Sequence, residues 1–307
     1  MEPKVQVQAA KETALAVQHA DLAVLVVTGK DRVTWLNGLL TCDLAKRAPG
    51  SAVYGLVVER KGHVLTDVNV VADEANEGGE RVFLVVPVFA VESLRAHLEH
   101  YLVMEDAEVA PATGYEVWWV HGPRAGEALV AARAAGGVGG TLDRTGLGGA
   151  MVLAAPDVTR EVAAAIAGVA TVGDDTGWEA LRLERGVPRF GVDFDDKTYP
   201  QEAQLEKVAV SFDKGCYLGQ EVVCMLEMRG HVKRKLVPVV LDDGAPPPRG
   251  APVTDEEGAP IGEVTSAGTS PTLGKPVVMA MVKRAFAEAG KRLVVAGASG
   301  EVVERPA

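Results

Sequence analysis

The segment Lys214-Gly215-Cys216-Tyr217-Leu218-Gly219-Gln220-Glu221 sets a thiol between two glycines, with a lysine two residues before it and a carboxylate five after. A thiol reacts as its thiolate, and a nearby ammonium or a helix N-terminus lowers the pKa that sets the thiolate fraction. Lys214 is the ammonium such chemistry needs, and Asp213 is placed to cap a helix starting here. Gly215 and Gly219 would admit a neighbouring backbone or ligand close to the sulfur. The competing reading is a buried structural cysteine in a glycine-rich turn. The octapeptide as a whole favours a functional Cys216.

Positioning such a group takes a scaffold, and the chain is long enough for more than one. At 307 residues it exceeds the usual size of a single hydrophobic core, so two or three domains are expected. The apolar run Ala23–Thr28 reads as a buried strand, and Asp31 as the cap of a helix over Arg32–Leu40. Ala52–Glu59 and Val64–Ala72 read as strands joined by the turn Lys61-Gly62-His63. A polar loop covers 73–79. Arg81–Pro87 is another strand, and Val91–Leu102 has helical periodicity. A second α+β unit begins near Tyr115, with strands at Glu116–Val120 and Met151–Ala155 and helices at Gly126–Ala134 and Arg160–Ala167. The glycine-rich stretch Ala135–Gly149 is expected to be exposed and mobile. Beyond Lys235, short strands at Leu236–Leu241, Ala259–Ser266, Val277–Val282 and Arg292–Val295 predict a separate small all-β barrel or sandwich.

Charge and cysteine content exclude several classes. The net charge of -11 argues against a broad phosphate-binding face, so no direct nucleic-acid binding is expected. Cys42, Cys216 and Cys224 are too few and too scattered for a disulfide framework or a zinc site. No apolar run approaches the roughly 20 residues that span a bilayer. Neither a signal peptide nor a membrane anchor is expected, and the cytoplasm is the default compartment.

Read as a block, Lys214–Glu221 resembles the signature of the YgfZ family, folate-binding relatives of the glycine-cleavage T-protein. Further blocks agree in order: Trp35–Asp43 is similar to the family's N-terminal helix-and-turn element. Leu181–Pro188 and Tyr199–Ala203 are similar to the arm shared by both branches, and Gly262–Ser266 with Ser270-Pro271 to the barrel. The resemblance implies an α+β fold of T-protein type: a three-domain ring of two α+β units with antiparallel sheets plus a C-terminal β-barrel. The boundaries expected are 1–112, 113–234 and 235–307, with segments able to exchange between the first two units. It also implies a tetrahydrofolate ligand and a role in iron–sulfur cluster assembly or repair, supporting enzymes such as tRNA-modifying ones. The partners would then be iron–sulfur proteins or assembly factors.

Site residues follow from the same resemblance. Glu184 becomes a pterin acceptor, since a carboxylate takes paired N–H donors side by side; the alternative is a solvated helix charge. Asp67 would hydrogen-bond the folate or move a proton, with a turn-satisfying strand-end aspartate as the competing reading. The T-protein has a pair of aspartates here, whereas this chain has Thr66 and Asp67, which puts aminomethyl transfer in doubt. Arg185 and Arg189 would hold the folate glutamate tail, and Tyr217 would stack or donate near the ring. The family's arginine is replaced by Met225, leaving Lys214 alone beside the thiol. His231, Lys233, Arg234 and Lys235 form a basic cluster before the barrel.

The expectation from sequence is therefore a folate-binding accessory protein of iron–sulfur maintenance with Cys216 as its reactive centre. The rivals are a tetrahydrofolate-dependent aminomethyltransferase and a binding module without ligand. Whether the protein is an enzyme is left open.

Overall fold

A computed structural model of the chain describes residues 1–48, 50–73, 81–228, 230 and 232–304. In chain order come α1 (Pro3–Glu12), β1 (Leu15–Gln18), β2 (Leu22–Thr28), α2 (Arg32–Asn37), β3 (Ala52–Val58), β4 (Val64–Ala72) and β5 (Val82–Pro87). Next are α3 (Val91–His100), β6 (Glu108–Pro111), β7 (Glu116–His121), α4 (Ala125–Ala134), β8 (Val138–Thr141), β9 (Gly149–Ala154), α5 (Thr159–Ala167) and β10 (Thr171–Val172). The helices α6 (Asp175–Glu184), α7 (Glu206–Ala209) and α8 (Gln220–Met228) lead into β11 (Arg234–Leu241), β12 (Pro252–Thr254), β13 (Pro260–Thr269), β14 (Pro276–Lys283), β15 (Arg292–Val295) and β16 (Ala298–Val302).

Two five-stranded sheets and a closed barrel result, which is the α+β architecture of T-protein type expected from sequence. The first sheet has the order β3-β4-β5-β2-β6 and the second β10-β1-β7-β9-β8. Valine-rich strands suit a sheet covered on both faces, and β5 has no fully exposed residue. Leu36, Leu94 and Leu98 from α2 and α3 cover the outer face of the first sheet. Ala125, Ala128, Leu129 and Ala132 of α4, with Val162 and Ile166 of α5, cover the outer face of the second. The inner faces share one core, in which Val71, Phe83 and Val85 of the first sheet join Val117, Trp119 and Leu153 of the second. Closing the barrel through β11, which pairs with both β14 and β16, leaves no open sheet edge there. Among the described residues no helix is long and apolar enough to cross a membrane.

Several local expectations change. Within the stretch 1–112 expected as the first unit, β1 pairs with β7 and β10, so residues 15–18 belong to the second sheet. Asp31 caps nothing with its side chain; its Oδ2 instead accepts from the Asp106 amide at 2.8 Å. Residues 135–149 do not form one loose loop. Gly139 and Gly140 pair with Val152 and Met151 in β8–β9, where a Cβ would strike neighbouring backbone at 2.3 Å. Glycine there permits close packing instead of mobility. Most of the polar loop over 73–79, and His231 of the basic cluster, lie outside the described residues.

Candidate functional site

The inner pocket opens between the two sheets, holds about 160 Å³, and is lined by His19, Asp67, Asn69, Trp119, Arg144 and Trp178 among others. Strand periodicity sends Asp67 and Asn69 of β4 to the same face. Tyr54 on the adjacent strand β3 donates its hydroxyl to Asp67 Oδ2 at 3.1 Å. Burial pushes the Asp67 carboxyl above its usual range, while the charge of Arg144 and the Tyr54 hydrogen bond act the other way. Thr66, one residue earlier, is fully buried on the opposite face, and its hydroxyl donates to the Asp67 carbonyl at 3.0 Å. A residue at 66 therefore takes no part in this pocket. The Thr66 replacement, read from sequence as a mark against aminomethyl transfer, removes nothing from it.

Three buried polar atoms on the pocket walls lack a hydrogen-bond partner: His19 Nε2, Asn69 Oδ1 and Trp119 Nε1. The other His19 nitrogen, Nδ1, lies 3.4 Å from Asp21 Oδ1, and this hydrogen bond is the main reason Asp21 sits at about 2. Unpartnered buried polar groups cost free energy unless something completes them. With Asp67 they offer mostly acceptors in a pocket that Trp119 and Trp178 also line, a set suited to a flat ring that carries N–H donors. Behind them, His121 stacks on Trp178 at 4.7 Å, and burial pulls its pKa down to about 3.

A larger central cavity of about 890 Å³ is bounded by all three units, from Tyr54 through Arg144 and the 185–188 arm to Lys235 and Pro238 of the barrel. Arg144, Arg185, Lys207 and Lys235 give it cationic character, opposed by Asp143, Glu206 and Glu304. Arg144, Val187 and Pro188 line both spaces.

The residues expected from sequence are distributed unevenly. Asp67 and Arg189 line the inner pocket and Arg185 the central cavity. Arg189 pairs with Asp21 at 2.7 Å, and Arg185 Nε donates to the Thr145 carbonyl. Glu184 lines neither space. Its Oε1 accepts from Ser270 Oγ at 2.6 Å and Thr272 N at 2.9 Å, and its Oε2 accepts from Lys11 Nζ at 2.9 Å and Thr272 Oγ1 at 2.8 Å. Those bonds, against its burial, hold its carboxyl below the usual value. Glu184 clamps α1 and α6 to the barrel instead of presenting a free carboxylate to a pterin.

Cys216 is exposed and lies four residues before α8, outside both cavities. Because that helix begins at Gln220, Asp213 does not cap it. Lys214 is buried, and its Nζ donates to the carbonyls of Leu40 at 2.7 Å and Cys42 at 2.6 Å. Burial lowers its pKa to about 8. The ammonium is thus committed to tying this loop to the turn after α2. Gly219 is required, with φ at +78° and a would-be Cβ 2.5 Å from the Glu59 carbonyl, whereas nothing lies within 4 Å of one at Gly215. Tyr217 is packed in the core with its hydroxyl unpartnered, and Cys42 is buried with its thiol pushed up to about 12.

Sequence reading missed His19, Asn69, Trp119 and Arg144. The signal for Arg144 was available in Asp143-Arg144-Thr145-Gly146. There Asp143 accepts from the amides of Thr145, Gly146 and Gly148 at 2.8–2.9 Å, an ordered aspartate turn.

Comparison with known proteins meets this geometry at both ends of the chain. Residues 4–135 match the GCVT N-terminal domain, and residues 234–306 match the glycine cleavage T-protein C-terminal barrel domain. Both matched domains are those of the glycine cleavage T-protein, which supports a place in the GcvT/aminomethyltransferase superfamily. It is 27% identical to an aminomethyltransferase of Nostoc sp., over 94% of this chain and 82% of the relative. A probable aminomethyltransferase of Haloarcula marismortui is 29% identical, over 96% of this chain and 86% of its own. The crystal structure of glycine cleavage system aminomethyltransferase T from Bartonella henselae shares the fold. Its TM-score is 0.83 at 22% identity, covering 99% of this chain and 89% of that one. In this chain the inner pocket lies between the two α+β units, and the central cavity lies where all three units of the fold converge.

Proposed function

We propose that the protein binds a tetrahydrofolate through its inner pocket and central cavity, and that it is an aminomethyltransferase with Asp67 as its functional carboxylate. One observation carries the reading: Asp67 and three unpartnered buried polar groups share a pocket walled by two tryptophans. These residues fit the pterin end of a folate, and the cationic side chains of the central cavity fit an anionic tail. When bound, tetrahydrofolate supplies the nitrogens that carry a one-carbon unit. The chain's part is to exclude water with Trp119 and Trp178, to orient a ring through His19 and Asn69, and to hold or release a proton at Asp67. Relatives named aminomethyltransferase span nearly the whole chain, which supports the same reading.

Calorimetry with tetrahydrofolate and a transfer assay with aminomethylated carrier protein test it. Wild type should bind and turn over, and Asp67→Asn should lose about 10²–10⁴-fold in rate. Absence of both binding and turnover in wild type refutes the proposal.

The exposure of Cys216 favours a second reading, that of the YgfZ branch: a folate-binding accessory factor for iron–sulfur cluster assembly or repair, acting in the cytoplasm on iron–sulfur proteins. An exposed thiol outside the cavities suits contact with a partner, and a single thiol suits handing over a cluster better than keeping one. Binding of folate without turnover, with loss of cluster-enzyme activity in cells carrying Cys216→Ser, would select this reading.

A further inference from the structure

Among the described charged residues that line the inner pocket or the central cavity, only Arg144 lines both. It stands on the β8–β9 loop of the second unit, whereas Tyr54 and Asp67 stand on β3 and β4 of the first. The loop is held from within by Asp143, which accepts from three of its amides, and from the arm by Arg185, which donates to the Thr145 carbonyl. Gly148 lets it approach the chain at Gly122, with φ at +90° and a would-be Cβ 2.8 Å from the Gly122 carbonyl. On this support the guanidinium carbon of Arg144 lies 3.4 Å from the centre of the Tyr54 ring. Tyr54 in turn donates to Asp67 at 3.1 Å.

The neighbourhood of Asp67 leaves Arg144 as its counter-charge. His19, Asp21 and Arg189 also line the pocket, but Arg189 is paired with Asp21 at 2.7 Å and His19 lies 3.4 Å from the same carboxylate. Asp21 can only repel a second negative charge. Burial opposes ionisation of Asp67, and Arg144 is the largest influence favouring it, ahead of the Tyr54 hydroxyl.

We propose that Arg144 is a positioning residue that favours the ionised form of Asp67 against its burial, acting across the two α+β units by its charge and through the ring it covers. The role deepens the proposed function, since it rests on Asp67 being the working carboxylate, yet it is measurable without any folate. An arginine suits it because a planar cation both stacks on an aromatic face and keeps its charge at every physiological pH.

The experiment is a carbon-13 NMR titration of the protein labelled at its aspartate carboxyls, with the Asp67 signal assigned by Asp67→Asn. In Arg144→Gln the Asp67 midpoint should rise by about one pH unit or more, and Arg144→Lys should recover part of the difference. In Tyr54→Phe, which keeps the stacked ring and loses only the donor, the midpoint should rise by less. An unchanged midpoint in Arg144→Gln overturns the proposal. Should that variant not fold, Arg144→Met takes its place, and an unchanged midpoint there overturns the proposal equally. A protein that fails to bind tetrahydrofolate but shows these midpoint changes loses the proposed function and keeps the Arg144–Asp67 linkage.

Discussion

Arg182 Nη1 donates to Asp193 Oδ2 at 2.9 Å, and neither side chain is more than 1% exposed. Asp193 Oδ1 accepts from the hydroxyls of Thr265 at 2.7 Å and Ser266 at 2.6 Å, so this buried pair also fastens the arm after α6 to the barrel. Removing Asp193 leaves the buried Arg182 only its other carboxylate, the partly exposed Glu179, and strands the two barrel hydroxyls. Asp193→Ala should therefore cost about 3–5 kcal/mol in urea unfolding. A cost below about 1 kcal/mol would mean that water replaces the lost carboxylate without penalty.

Glu184 and Lys11 form a second clamp at 2.9 Å. The Glu184 carboxyl titrates below its ordinary 4.5, so its contribution is complete above that value and disappears as pH falls through the lowered one. Glu184→Gln should lose about 1–3 kcal/mol at neutral pH and converge with wild type in acid. Because this carboxylate lines neither cavity, tetrahydrofolate affinity by calorimetry should be unchanged. A large loss of affinity in a folded variant would return Glu184 to the binding site.

His121 is buried and neutral, taking its proton near 3 in the fold against 6.5 in the open chain. The unfolded chain binds that proton first as pH falls. Stability is thus complete above pH 6.5 and declines as pH drops toward 3, by up to about 1.4 kcal/mol per pH unit. His121→Phe keeps an aromatic ring beside Trp178 and should flatten stability across that window. Parallel pH profiles for variant and wild type would exclude His121 as the source.

Thiol labelling separates Cys216 from Cys42. With iodoacetamide under native conditions and peptide mass mapping, Cys216 should be alkylated first, because it is exposed. Cys42 should stay unmodified until the protein unfolds, since it is buried and its thiol lies at about 12. Protection of Cys216 in the native protein would contradict the loop conformation before α8 and remove the partner-contact reading.

Much of the fold was legible because period-two and period-3.6 patterns report which face of an element is covered, whatever covers it. β4 and β15 were read to the residue, and the barrel was visible in its short strands and turns. The register of β4 was legible too, but its consequence needed the second sheet. Alternation separates Asp67 from Thr66, yet only the facing strand β7 turns one side of β4 into a pocket wall. The mistaken mobile segment had a similar cause. Glycines in a strand that packs against another backbone look in sequence like glycines in a loop.

The chain by itself determined its three-unit architecture, the position of the cysteine octapeptide, and Asp67 as a residue to watch. The first two are local properties, fixed by side-chain period and by residues adjacent in sequence, whereas Asp67 was marked by the family resemblance. Tertiary structure alone decided that Lys214 serves two carbonyls more than 170 residues away, that Glu184 is spent on a clamp, and that Arg144 meets Tyr54. A charge or hydrogen bond acts over a few ångströms whatever the separation along the chain. The partners of each candidate group were therefore settled by which strands and loops the two sheets and the barrel bring face to face.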